Sequence, residues 1–325
     1  MILAPSRRAC QILRTLTKSR PAPTTSPATS LAYVERVNLA IDHVVNHLDK
    51  PLRLKAVSKS AMLSPFHFHR VFQSLVGVTL ADFVKRLRLE RALVMMTHHR
   101  KPSLTSIALA CGFSSPSDFT RCFKHRYGSA PSSFDLKGWQ ISHAAELEAI
   151  VSGSPQRLHL DQSPPPLSPP AFTVRIRELP ARTVAYTRVH DPYKPDAVVQ
   201  AVHRMLAWAD AHGLSGGQWL GYQWENPELV PLEHCRYHVA VEAERFTAKG
   251  EIGRFRFPPM LVAQVEVKGG IDLELRVLQW LYGTWLPRSG YVPDDHPCFE
   301  SWIGRPFAHG YEYFELNAQL PVRRG

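Results

Sequence analysis

The feature that most limits how this chain can fold is a pattern that occurs twice, over residues 54–83 and 104–134. The second copy reads LTSIALACGFSSPSDFTRCFKHRYGSAPSSF. Leu104, Ile107, Ala108 and Cys111 fall at the i, i+3, i+4, i+7 spacing of an amphipathic helix. Gly112 supplies a turn where a residue without Cβ reaches positive φ cheaply. Ser115 is placed to cap a second helix and Pro116 fits its first turn. That helix buries Phe119, Cys122 and Phe123 and presents Ser117, Thr120, Arg121, Lys124 and His125 elsewhere. Gly128 and Pro131 end it, and a short helix over 132–136 closes the unit with Phe134. In the first copy Leu54, Val57 and Ala61 answer Leu104, Ile107 and Cys111. After a one-residue shift, Phe68, Arg70, Phe72, Gly77 and Phe83 answer Phe119, Arg121, Phe123, Gly128 and Phe134. The core positions repeat and the outward ones do not: Phe66, His67 and His69 stand against Ser117, Asp118 and Thr120. Two helix-turn-helix units with unequal faces would read the two halves of an asymmetric site.

Charge follows the repeat. Residues 1–30 carry five basic side chains and no acid, and 31–139 carry 16 basic against 7 acidic. Residues 140–325 hold 18 basic and 21 acidic, so the excess positive charge within the folded part, +9 over 31–139, lies with the repeated units, as a polyanion-binding module requires. Between the copies, residues 79–98 read as one helix with Lys85, Arg86, Arg88, Glu90 and Arg91 on its polar side. About 20 residues at roughly 1.5 Å each span about 30 Å. Successive major-groove faces lie roughly 34 Å apart, so both second helices could enter adjacent grooves of one duplex.

Residues 52–136 resemble the DNA-binding domain of the AraC/XylS family of bacterial transcription regulators. The likeness rests on IALACGFSSPSDFTRCFKHRYGSAP from Ile107, on SPFHFHRVFQSLVG in the first copy, and on RLRLERA over 86–92. It implies a double-stranded promoter as partner, with RNA polymerase as a second. It assigns base reading to Phe66, His67, His69 and Arg70 in the first unit, and to Ser117, Thr120 and Arg121 in the second. Lys124 is better placed for the phosphate backbone. Arg70 and Arg121 suit guanine or phosphate. Phe66 suits a thymine methyl or simple packing. Asp118 would repel phosphate and is expected to cap or pair.

The flanking segments are less informative. Residues 1–30 are basic, Ser/Thr/Pro-rich and lack the means to build a core, so a disordered extension is expected, although the bias is also that of a transit peptide. A helix over 31–48 follows, with His43 and His47 at i, i+4 but no third metal ligand nearby. The five cysteines are scattered and include no CxxC, the usage of a reducing cytoplasm. No run of 18 apolar residues suggests a membrane span. Residues 140–171 form a linker: a modest helix over 140–151, then the Pro-rich SPPPLSPPA at 163–171.

Residues 172–325 read as an α+β domain of duplicated β-α-β-β units after the all-α double helix-turn-helix domain. Strands are expected over 172–179, 182–189, 219–224, 236–243, 260–268, 297–303 and 311–320, and helices over 195–212 and 271–285. Two such units about a pseudo-two-fold leave a groove, a usual place for a ligand. Glu300 stands out within CFESWIG, where strand alternation puts it on one face with Trp302. A carboxylate among aromatics attracts a cationic or hydrogen-bond-donating ligand. TWLPRSGYVPDDHPCFESWIG and GYEYFELNAQLPV resemble the DNA gyrase inhibitor-like effector-binding domain, of SOUL/multidrug-effector fold. That resemblance implies a cleft for small, lipophilic or cationic molecules, with Glu300 as its glutamate. Tyr222, Trp224, Trp285, Trp302 and Tyr313 are the aromatic candidates around it. His296 and His309 are isolated, so no haem and no other cofactor is expected.

The resulting expectation is a cytoplasmic, effector-controlled transcription regulator that is not an enzyme. One alternative is a hydrolase of strained electrophiles, with Glu300 and Tyr222 or Tyr313 activating water. Another is an architectural or gyrase-interacting protein whose second domain docks on protein. Two DNA-reading units per chain permit binding as a monomer and leave a dimer open.

Overall fold

The computed structural model describes residues 27–97, 102–152, 172–227 and 229–325. The sequence-expected tail up to residue 26 and the Pro-rich stretch 163–171 lie outside these residues.

The first domain is all-helical. Helices α1 (Pro27–Asn46), α2 (Leu54–Ser60), α3 (Pro65–Val76), α4 (Leu80–Met96), α5 (Leu104–Ala110), α6 (Pro116–Tyr127) and α7 (Leu136–Ser152) follow one another. Their boundaries are written in capping residues. Ser64 Oγ accepts from His67 N at 3.3 Å, and Ser115 Oγ from Asp118 N at 3.1 Å, each directly before a proline at the helix start. Gly77 and Gly128 end α3 and α6 at φ 81° and 79°. Thr79 caps α4 and donates to Asp82 at 2.7 Å. Each unit has its own core. Val57, Ala61, Phe68, Phe72 and Phe83 pack with α1; Ile107, Ala108, Cys111, Phe119 and Phe123 pack with the second half of α4. Val57, Ala61, Phe68 and Phe72 thus sit in the first core as Ile107, Cys111, Phe119 and Phe123 sit in the second, whereas Leu54 is exposed while Leu104 packs.

Three boundaries differ from the sequence reading. α1 begins at Pro27, inside the expected extension. α4 has 17 residues, so it spans about 25 Å rather than 30. Residues 131–133 form a turn, not a helix; Asp135 Oδ1 accepts from Gly138 N at 3.0 Å and starts α7 instead.

The second domain is one antiparallel sheet with helices. Its strands are β1 (Arg175–Leu179), β2 (Arg182–His190), β3 (Trp219–Gln223), β4 (Arg236–Glu242), β5 (Gly253–Phe257), β6 (Met260–Gly269), β7 (Tyr291–Pro293), β8 (Cys298–Trp302) and β9 (Phe314–Arg324). Helix α8 (Ala197–Ala211) follows β2, and α9 (Ile271–Trp280) follows β6. α9 runs on through a π-turn (Leu281–Trp285) into α10 (Leu286–Ser289). The sheet order is β1-β6-β9-β8-β3-β4-β2-β5, with β7 beside β9. Two β-α-β-β units, β2-α8-β3-β4 and β6-α9-β8-β9, therefore meet at a β3–β8 seam, where Gly221 pairs with Glu300 and Tyr222 with Phe299. The sequence reading missed β5 and β7.

The two sheet faces carry different cores. Trp219, Val239, Val241, Val265, Val267 and Trp302 pack with α8 and α9. Tyr186, Leu220, Tyr222, Phe255, Phe257 and Phe299 form the core of the other face. No helix among the described residues is long and apolar enough to cross a membrane.

Candidate functional site

The second helix of each unit is held by two buried phenylalanines and is otherwise exposed. α3 buries Phe68 and Phe72; Phe66, His67, His69 and Arg70 point outward. Phe66 is 73% exposed, which removes the packing option for it in this domain, and the Arg70 guanidinium lies 5.9 Å from its ring centroid. His67 Nε2 is 2.9 Å from Tyr33 Oη of α1. α6 buries Phe119 and Phe123, leaving Ser117, Thr120, Arg121 and Lys124 exposed. Thr120 Oγ1 donates back to Pro116 O at 2.9 Å. Arg121 donates to Asp118 at 2.8 Å, and Ser114 to the same carboxyl at 2.9 Å. The Arg121 hydrogen bond, aided by Ser114, holds Asp118 below the usual carboxylate range. Asp118 thus both receives the cap and pairs.

The effector candidates do not form one cluster. Glu300 and Trp302 share the helix-covered face, and Trp302 is core, edge-to-face with Phe307 at 5.3 Å and Phe314 at 5.5 Å. Trp285, on the π-turn, stacks on Tyr291 at 6.0 Å. Tyr313 is on the surface beside His309. Tyr222 and Trp224 belong to the opposite face, against Phe257 at 5.3 and 6.3 Å. The seam register explains the split: Glu300 lies opposite Gly221, so Tyr222, one residue on, faces away with Phe299.

Glu300 has partners that the sequence reading did not name. Tyr237 Oη of β4 donates to Glu300 Oε2. Glu274 of α9 is buried beside the same carboxyl. A Cβ on Gly221 would overlap Tyr237 Oη and Glu300 Oε2, so only glycine leaves room for this contact. Burial pushes Glu300 up to about 7 and Glu274 well above the carboxylate range. A signal for Glu274 existed in the sequence. It sits in the apolar stripe Ile271, Val277, Leu278 of α9, where an acid is out of place.

A buried polar network joins the domains. Asp42 of α1 accepts from Tyr186 Oη at 2.6 Å and from Arg188 at 2.8 Å, and Arg188 also donates to Asn38. Arg188 Nε donates to His238 Nε2 at 3.0 Å, and His238 stacks on Tyr222 at 4.8 Å. Arg236 of β4 is paired with Glu225 and lies over the Phe83 ring at 5.3 Å. Arg86 reaches Glu90 at 3.3 Å, with His234 3.8 Å from the same oxygen. Trp139 Nε1 donates to Leu229 O at 2.9 Å. A cavity of about 220 Å³ lies beside this network, between Leu39 of α1 and Ile252 near β5, apart from Glu300. The His43 and His47 rings lie 4.5 Å apart, tilted by 31°, and no group of three metal-binding side chains occurs among the described residues.

Comparison with known proteins agrees with this division. A helix-turn-helix domain family model matches residues 57–136, and a GyrI-like small molecule binding domain matches 172–323. The probable transcriptional regulator LumQ of Photobacterium leiognathi is 34% identical over 105 residues, 32% of this chain and 42% of LumQ, so the chain spans under half of that relative. The TetD protein of transposon Tn10 from Escherichia coli is 35% identical over 109 residues, 33% of this chain and 76% of TetD. A DNA gyrase inhibitor of Edwardsiella piscicida is 32% identical over 160 residues, 46% of this chain and 98% of the inhibitor. The chain belongs to the AraC-type helix-turn-helix regulators, and it joins that domain to a GyrI-like small molecule binding domain.

Proposed function

We propose that the chain is a one-component transcription regulator: α3 and α6 bind promoter DNA, and a small lipophilic cation at Glu300 controls them. The observation that carries this reading is the pair of outward helices, each pinned by two phenylalanines and each presenting an exposed, arginine-bearing face. Excess positive charge in the same domain supplies the non-specific attraction to phosphate. RNA polymerase is the partner through which a promoter-bound regulator of this kind acts.

Strand β4 offers the coupling. Tyr237 meets Glu300 on one face, while its neighbours Arg236 and His238 join the inter-domain network on the other. A ligand that moves Tyr237 shifts the strand that the DNA-binding domain rests on. It changes DNA affinity only by its differential affinity for the two arrangements. Regulation is favoured over hydrolysis because the Glu300 carboxyl already accepts from Tyr237 Oη, which occupies Oε2 in place of an attacking water. Genome-wide footprinting with and without a lipophilic cation tests the proposal. Discrete protected sites whose occupancy or effect on transcription responds to the cation are expected. Uniform, sequence-independent protection would overturn it.

A further inference from the structure

The cavity between the domains has two walls of different origin. Asn38, Leu39 and Asp42 line it from α1, together with Glu35 one turn earlier. Ala248, Gly250 and Ile252 line it from the β4–β5 connection. Its volume of about 220 Å³ is several times the roughly 30 Å³ that one water takes in the liquid. Well-packed interiors leave few voids larger than a water molecule, so a space of this size at a domain junction departs from ordinary packing. Glu300 is not part of its lining.

The polar groups of the lining are unequally committed. Asp42 accepts from Tyr186 Oη at 2.6 Å and from Arg188 at 2.8 Å, so its charge is matched. Asn38 is buried, and its side-chain oxygen accepts from Arg188. Glu35 differs. Its Oε2 accepts from Gly250 N at 3.1 Å, which ties the carboxylate to the opposite wall. Arg188 is paired with Asp42 and Arg204 with Glu251, and among the described residues no basic side chain forms an ion pair with Glu35. Leu39, Ala248 and Ile252 are apolar. The space therefore offers one carboxylate without a cation beside an apolar wall.

We propose that this cavity is a second small-molecule site, which takes a primary ammonium compound with a small apolar body. The ammonium donates to Glu35, and the apolar part lies against Leu39, Ala248 and Ile252. The groups match, because a carboxylate has only acceptors and an ammonium only donors. The size matches as well. An apolar cavity of roughly 150 Å³ takes a benzene ring, so a ring with a short amine-bearing chain fits the larger space. The site is built from both domains and stands whether or not Glu300 binds an effector. α1 links it to DNA reading. Two residues before Glu35, Tyr33 Oη lies 2.9 Å from His67 Nε2 of α3. One residue after Glu35, Arg36 donates to Met62 O at 2.9 Å, in the turn that precedes α3. An occupant that displaces α1 therefore moves the support of the first reading helix, and it changes DNA affinity by its differential affinity for the two arrangements.

The test uses the full chain, with its alanine, leucine and isoleucine methyls labelled, and phenethylamine as the probe. Titration followed by methyl NMR is expected to give saturable shifts at Leu39, Ala248 and Ile252. Glu35→Gln keeps an acceptor for Gly250 N and removes the charge, so affinity read at these methyls should fall about tenfold or more. Phenethyl alcohol, of similar shape and without charge, should bind more weakly than phenethylamine by a similar factor. Glu300→Gln should leave the affinity read at these methyls unchanged, and Ala248→Phe, which fills the space, should abolish the shifts at Leu39 and Ile252. Absence of saturable shifts at these methyls, or equal affinity in Glu35→Gln, overturns the proposal. Binding that is lost in Glu300→Gln and kept in Ala248→Phe assigns the probe to the Glu300 site and also overturns it. The comparison of phenethylamine with phenethyl alcohol on the unaltered chain decides the matter even if a variant fails to fold: equal affinities contradict a carboxylate-anchored ammonium site.

Discussion

Glu90 projects from α4 into the protein with one carboxyl oxygen near Arg86 and the other unpartnered. Burial outweighs Arg86 and raises its pKa from 4.5 to about 7. The folded state therefore binds the Glu90 proton more tightly than the unfolded one. The sign follows: this group's contribution is full below pH 4.5 and is lost as pH rises through about 7. A shift of this size corresponds to roughly 3 kcal/mol at pH 8. Glu90→Gln is expected to raise stability at pH 8 by an amount of that order and to leave it nearly unchanged at pH 4.5. Urea denaturation at the two pH values measures this; an equal effect at both would contradict it. In the sequence Glu90 belongs to a polar helix face, because periodicity within α4 does not reveal that a second domain covers that face. Glu274 is the opposite case. Its place in an apolar stripe was legible, but its partner Glu300 comes from a strand 24 residues on, and no local pattern gives that contact.

Elements were more legible than contacts. Ser64, Ser115, Gly77 and Gly128 mark helix ends by local hydrogen bonding and backbone freedom, so the ends of α3 and α6 follow from the residues themselves. β5 alternates between buried and exposed residues but sits beside prolines, and β7 has three residues, too few for a pattern. The β3–β8 register was beyond reach. It depends on two strands far apart in sequence, and a one-residue slip exchanges every side chain between faces. For that reason composition groups Tyr222 and Trp224 with Glu300, although the register places them on the other face. The contact of α1 with β2 was equally hidden. The Arg188 side chain is 3% exposed, so its pairing with Asp42 is a buried one. Asp42→Ala leaves that guanidinium uncompensated and is expected to cost about 3–5 kcal/mol. Asp42→Ala with Arg188→Met removes the orphaned charge and should cost less than the single change. Additive losses in equilibrium denaturation would contradict the assignment.

At the scale of the molecule, the chain combines an AraC-type helix-turn-helix domain with a GyrI-like small molecule binding domain packed against it. The two repeats share their cores and differ in their outward residues, the arrangement expected of a chain that reads an asymmetric site. Charge distribution and the repeat revealed the two-domain plan in the sequence. The polar network between Asp42, Arg188, His238 and Tyr222 did not, because its members are far apart in the chain and individually ordinary. The most direct measurement of the central claim is base-resolution footprinting of a bound promoter by the unaltered chain, by Arg70→Ala, by Arg121→Ala and by the double variant. The expected footprint has two protected major-groove segments about one helical turn apart. Each single variant should weaken a different segment, and the double variant should lose both. An unchanged footprint in the double variant would contradict the claim that α3 and α6 together read the DNA.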